Sequence, residues 1–144
     1  MTFAAQEVLW YAGILQEVTG EGETMIASVV RLAVEATIHD GQLEAFRAVA
    51  QAMSAGSAAE PGTLGYEWFF SADGKQCRLL ETYVDADAVL AHFTGPVVGQ
   101  LVPQLMPLCT MDRFEIYGDP GPKVREMATL FGAKFFNYWT GINR

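Results

Sequence analysis

Positive charge is scarce in this sequence and nowhere clustered. Nine Lys and Arg stand against seventeen Asp and Glu, for a formal net charge of -8 and a pI near 4.6. Such a surface repels phosphate backbones and anionic bilayers, so no nucleic-acid or membrane partner is expected. Cysteine is equally sparse. Cys77 and Cys109 have neither the close spacing nor the companion histidines of a metal site, and are expected as free buried thiols in a reducing compartment. No Lys or Arg precedes Arg31, which argues against a secretory signal or basic transit peptide, and no apolar run reaches membrane-spanning length. A cytoplasmic protein is expected. Also missing are a Gly-rich phosphate loop, a nucleophile elbow, a metal-binding helix motif and a flavin or nicotinamide fingerprint. That fits a protein with no metal and no cofactor, and equally one with no chemistry at all.

What the chain does have is apolar residues, 51% of 144, enough for one domain with a real core. The most specific stretch runs from Glu60 to Phe93. Leu64, Tyr66, Trp68 and Phe70 alternate with Gly65, Glu67, Phe69 and Ser71, the period that sends successive side chains to opposite faces of a sheet. Asp73-Gly74 suits a two-residue type I′ hairpin turn. That register sets Trp68 opposite Leu79, Tyr66 opposite Glu81 and Leu64 opposite Tyr83. One face then collects Tyr66, Trp68, Phe70, Leu79, Glu81 and Tyr83, an aromatic wall holding one carboxylate. Asp85 is a suitable N-cap for the following helix, which carries His92.

The flanking segments complete an order. From Ile26 the chain alternates, with Val30, Leu32, Val34, Ala36 and Ile38 on one face and Arg31, Ala33, Glu35 and Thr37 on the other. Asp40 is expected to cap a helix whose stripe of Leu43, Phe46, Val49, Ala50 and Met53 covers the apolar face, with Ser54 to Gly62 as a loop. Thr94-Gly95-Pro96 reads as a break and restart, and Pro103 and Pro107 prevent one regular helix from Val97 to Leu108. Met111 to Tyr117 alternates as a fourth strand. The order β-α-β-β-α-β is that of a ferredoxin-like α+β domain, assigned to residues 25–118. Residues 1–24 form an N-terminal extension with a helical pattern of Val8, Tyr11, Ile14, Leu15 and Val18. It docks on its own subunit, crosses a partner or is partly mobile, and Met25 is an alternative start. Residues 119–144 form a C-terminal extension, a short helix from Asp119-Pro120-Gly121-Pro122 through Leu130 and a strand-like Ala133 to Trp139, packing on the domain or on a partner subunit.

Glu60-Pro61-Gly62-Thr63, Tyr66-Glu67, Glu81-Thr82-Tyr83 and the run from Ala88 to His92-Phe93 resemble the antibiotic biosynthesis monooxygenase family of dimeric α+β barrels. By order and type of elements the resemblance spans Val29 to Gly118. It implies a homodimer in which two sheets cover each other's open faces, here those bearing Arg31, Glu35, Glu67, Phe69, Arg78, Leu80 and Thr82. It also implies oxygenation of a quinol-like or polycyclic aromatic, anthrone-type substrate by dioxygen without metal or flavin. Some relatives degrade haem; their ligating histidine falls at Val102 and their pocket asparagine near Val34, so haem degradation is not expected here.

Function is expected in the space between the sheet's apolar face and the helices. Glu81 among aromatics would have a raised pKa and serve as a base, or else pair with a tyrosine hydroxyl or reach solvent. His92 is the other base candidate, or a structural histidine bonded to a backbone carbonyl. Tyr66 completes the catalytic set, as a hydroxyl steadying an oxyanion. Trp68, Tyr83 and Phe70 are candidates to hold a flat aromatic substrate, or are plain core. His39 is read as exposed. Arg31, Glu35, Glu67 and Arg78 are read as interface ion pairs. The alternative to an oxygenase is a non-catalytic or isomerising binder of a small aromatic or carbonyl compound.

Overall fold

A computed structural model describes residues 28–144, and the helix expected within residues 1–24 lies outside them. Six elements follow the expected order: β1 (Val30–Ile38), α1 (Leu43–Ala58), β2 (Thr63–Phe70), β3 (Gln76–Tyr83), α2 (Ala86–Thr94) and β4 (Cys109–Tyr117). The fold is α+β and ferredoxin-like. A broken helical segment containing α3 (Val102–Leu105) joins α2 to β4, and α4 (Pro122–Thr129) and β5 (Lys134–Phe136) end the chain. The sheet order is β2-β3-β1-β4-β5, antiparallel except for the parallel β4–β5 pair.

The hairpin keeps the expected register over a different turn. Trp68 lies opposite Leu79 and Tyr66 opposite Glu81. Only Gly74 has a positive φ, at 70°, so the turn is not type I′. Asp73 instead accepts from the Lys75 amide and the Ser71 hydroxyl, and the loop spans Ser71 to Gln76. At the other end Thr63, not Leu64, faces Tyr83: a bulge adds Leu64 as an extra residue and leaves it exposed.

A second bulge shapes the interior. Glu35 faces Arg113 but Ala36 faces Met111, so Asp112 is the extra residue of β4, its carboxylate accepting from Thr37 Oγ1 at 2.6 Å. The skip brings Cys109 and Met111 to the same side as Phe114 and Ile116, which strict alternation would forbid.

Helix boundaries differ where side chains find other partners. Asp40 does not cap α1; it sits in a turn closed by Gln42 N–H to His39 O, and α1 starts at Leu43. That helix runs on through Ala58, beyond the loop expected from Ser54. Ser54 accepts from the Trp68 indole at 3.0 Å and Ser57 faces inward, so both serines serve packing rather than a turn. Asp85 does cap α2, accepting from Ala88 N–H at 2.8 Å. Residues 97–108 form a π turn, α3 and a 3₁₀ turn in succession, in keeping with Pro103 and Pro107.

The core divides in two. One cluster packs Val30, Leu32, Tyr83 and Ile116 under α2 and α4; the other packs Ala36, Ile38 and Cys77 under Phe46 and Ala50 of α1. Between them the sheet is not filled. The cysteines flank β1 on β3 and β4, two strand spacings or roughly 10 Å apart, beyond disulfide reach, and both are free.

Candidate functional site

The unfilled space is a cavity of about 110 Å³. Its floor is the sheet (Leu32, Val34, Ala36, Leu79, Met111, Phe114), its sides are α1 and α2, and its roof is Val98, Val102, Leu105 and Met106 of the broken segment. Tyr66, Trp68, Glu81 and His92 bring the polar atoms to this apolar wall. A broader concavity of about 350 Å³ lies on the opposite face around Glu35, Arg78 and Leu80, but it is an open groove. Of the two, only the first holds buried acid–base groups.

Glu81 sits in mid-sheet opposite Tyr66 and Leu32, and is buried. Burial pushes its carboxyl above the usual range, with the Glu60 charge adding to the effect; His92 and the Tyr83 hydroxyl pull the other way. Tyr83 donates to Glu81 Oε2 at 2.5 Å. His92 Nε2 lies 4.0 Å from the same oxygen. The other imidazole nitrogen, Nδ1, meets both oxygens of Glu60 at 2.9 and 3.1 Å. Glu60 therefore orients the imidazole through Nδ1 and leaves Nε2 on the side of Glu81. The result is a row of polar groups, Glu60–His92–Glu81–Tyr83, hydrogen-bonded at both ends with a 4.0 Å gap between His92 and Glu81; its outer member is 22% exposed and its histidine 3% exposed.

Tyr66 packs against the His92 ring at 5.5 Å and against Trp68 at 5.9 Å, edge-on. Burial, then the Glu81 charge, keeps its phenol protonated, and Tyr83 is held protonated for the same reasons. Both tyrosines are donors, so proton uptake falls to the carboxylates and the imidazole. Ser57 Oγ is buried beside the Tyr66 phenol without completing a hydrogen bond of ordinary geometry.

Local sequence explains how Glu60 arrives. After α1, Glu60 N–H bonds Ser57 O, and the Pro61-Gly62 turn closes with Thr63 N–H on Glu60 O. Gly62 lies flush on α2: a Cβ there would stand 2.4 Å from the Ala88 Cβ. Gly62→Ala is accordingly expected to push α2 from the sheet, at about 1–3 kcal/mol of stability, with loss of the Glu60–His92 contact. Denaturant titration and the His92 imidazole NMR shifts would check both effects.

Some expected positions are placed otherwise. His92 bonds a carboxylate rather than a backbone carbonyl, because α2 faces the Glu60 turn. Tyr83 does not line the cavity; α2 covers its end of β3, and its hydroxyl is spent on Glu81. Phe70 also lies outside, near the hairpin end, packed edge-on against Phe46 and under the Arg47 guanidinium. His39 is exposed, its ring nitrogens beside Pro107 O and Thr110 Oγ1. Glu35 and Arg78 pair within the chain at 3.3 Å on the open face. Glu60 is the residue that sequence reasoning missed: its motif was visible, its partner was not.

Residues 29–104 match the family model for antibiotic biosynthesis monooxygenases. The chain belongs to that family. Similar solved structures include MupZ from Pseudomonas fluorescens (24% identity, covering 81% of this chain and 95% of MupZ, TM-score 0.71). Rv0793 from Mycobacterium tuberculosis (24%, 66% of this chain, 98% of Rv0793, TM-score 0.57) is similar too. So is SnoaB, a cofactor-independent oxygenase from Streptomyces nogalater (19%, 66% of this chain, 96% of SnoaB, TM-score 0.57). At these identities the likeness is one of fold. No curated protein matches the chain by sequence. Val102 and Val34 both line the cavity with apolar side chains, which cannot ligate iron. Among the described residues no group of three or more His, Cys, Asp or Glu is arranged to hold a metal ion, and no helix is long and apolar enough to cross a membrane.

Proposed function

We propose that this monooxygenase-family protein oxygenates a flat, acidic aromatic of the quinol or anthrone type, using dioxygen and no metal or flavin. The observation that carries the reading is the buried Glu60–His92–Glu81–Tyr83 chain opening on an otherwise apolar cavity. An apolar wall holds a polycyclic ring, with Trp68 and Tyr66 as stacking surfaces, and the dry site strengthens each electrostatic contact. Glu81 or His92 takes the proton of the acidic C–H or phenol. The resulting carbanion or phenolate gives one electron to dioxygen, and the radical pair combines to a C–O bond. The bound base returns the proton to the peroxide anion so formed, and the hydroperoxide then gives up its remaining C–H proton as the O–O bond breaks, leaving C=O and water. One dioxygen thus converts a CH₂ to a carbonyl and one water. Tyr66 donates to the developing oxyanion.

Oxygen uptake with 1,8-dihydroxyanthrone, on protein assayed for iron, copper and flavin, tests this directly: one dioxygen per carbonyl formed is expected. A second reading rests on the two bases 4.0 Å apart, which suit moving a proton between two positions of one carbonyl compound. Solvent deuterium exchange into a bound ketone without oxygen uptake would favour that isomerase reading and overturn the first.

The open face, with Phe69 and Leu80 exposed beside the Glu35–Arg78 pair, supports a homodimer of residues 25–118 in which two such faces meet. Leu80→Asp is expected to give a monomer in sedimentation at micromolar concentration; a wild-type monomer would remove the idea. The two free thiols fit a reducing compartment, and we assign the protein to the cytoplasm.

A further inference from the structure

The C-terminal extension lies beyond the residues that match the family model, yet it supplies part of the cavity wall. α4 is anchored by Val124 and Ala128, both buried in the cluster that α2 covers. Its end is fixed as well. Gly132 N–H bonds Thr129 O at 3.0 Å and Ala133 N–H bonds Ala128 O at 3.1 Å, with Gly132 at φ 78°, the pattern of a Schellman cap. Phe131 stands immediately before that capping glycine, so its direction is set by backbone geometry.

The Phe131 ring lines the cavity and is 45% exposed. Among the described residues, the only other lining residue that is exposed is Met106, at 36%. These two side chains, one from the extension and one from the roof, are the most solvent-exposed parts of the described lining, which points to the entrance lying beside them. Neither carries charge. Methionine is flexible and yields readily to a passing ligand, whereas Phe131 carries a rigid ring on backbone held by the cap and the anchored helix. We infer that Phe131 sets the width of the entrance and so selects ligands by size. This rests on reading the cavity as the ligand site.

Cys77 and Cys109, the two cysteines of the chain, both line the cavity at 2% and 7% exposure. Their labelling by maleimides at one alkaline pH reports passage through the entrance without reference to any reaction. N-ethylmaleimide and N-(1-pyrenyl)maleimide share a chemistry and differ in size. On the full chain, Phe131→Ala is expected to speed the pyrenyl reagent about tenfold, the low end of size discrimination by apolar pockets, and the ethyl reagent much less. Phe131→Trp should slow the pyrenyl reagent. Leu130→Ala, at a neighbour 85% exposed and outside the lining, should change neither. Phe131→Leu serves if the alanine variant unfolds. Equal acceleration of both reagents, or none in a folded variant, overturns the proposal. Thiol protection by 1,8-dihydroxyanthrone in the wild type is expected; size-selective labelling without it keeps the entrance and removes the ligand reading.

Discussion

His92→Ala is expected to lower turnover of an anthrone-type substrate by about 10²–10⁴-fold, the range spanned by positioned general acid–base groups. The imidazole is the hinge of the buried chain: Nδ1 is held by Glu60 at 2.9 Å and Nε2 faces Glu81 at 4.0 Å. Its removal leaves Glu81 without the group that favours its ionised form, so the remaining base is protonated over a wider pH range. Rate loss should be accompanied by a shift to higher pH of the limb along which the rate rises as the base ionises. Glu60→Gln should act through the histidine. It takes away the charge that orients Nδ1–H, and a fall of about tenfold or more in kcat with little change in KM is expected, since Glu60 is not among the residues lining the cavity. The control is Arg78→Ala on the opposite face. Full activity in both pocket variants, with loss in a folded Arg78→Ala, would move the chemistry to the groove between the sheets.

How much of this was legible depends on the range of the signal. The hairpin register was readable because the period of two is local and the Ser71–Gln76 loop preserves it, though Gly74 alone takes a positive φ. Tyr66, Trp68 and Glu81 therefore fell on the correct face. Asp85 was readable as a cap for the same reason. What was missed lies where the chain breaks period or reaches far. Asp112 carries no mark of a bulge, so Met111 and Cys109 were not expected beside Phe114. Glu60 meets His92 across 32 positions, a contact that only the Pro61-Gly62 turn and the docking of α2 create. Phe131 reaches the cavity through a helix that the ferredoxin-like order does not include. Tyr83 was placed on the right face but at the wrong depth, because alternation gives direction and not what lies above.

Glu81→Gln is expected to make the protein more stable and less active, and the two effects separate by pH. Burial raises the Glu81 carboxyl above its ordinary 4.5, so between that value and the folded one the native state binds more protons than the unfolded state. Wild-type stability is then full below the ordinary value and falls as pH rises through the folded one. The substituted amide does not titrate and still accepts from the Tyr83 hydroxyl, so the variant's Tm should differ least from wild type at acid pH. The gap in its favour should widen with rising pH and level off once Glu81 of the wild type is ionised. Glu60, His92 and Tyr83 face this carboxyl from the neighbouring turn, α2 and its own strand; His92 and the Tyr83 hydroxyl work against the trend, His92 the more strongly, so the gap should be larger in a His92→Ala background. Turnover should drop about 10²-fold or more, because an amide takes no proton. Retention of a destabilising buried acid is the pattern of a site kept for chemistry rather than for stability. A Tm gap independent of pH would show that Glu81 keeps its ordinary pKa in the fold, and one favouring wild type as pH rises would show that the fold lowers it; either would leave His92 as the base.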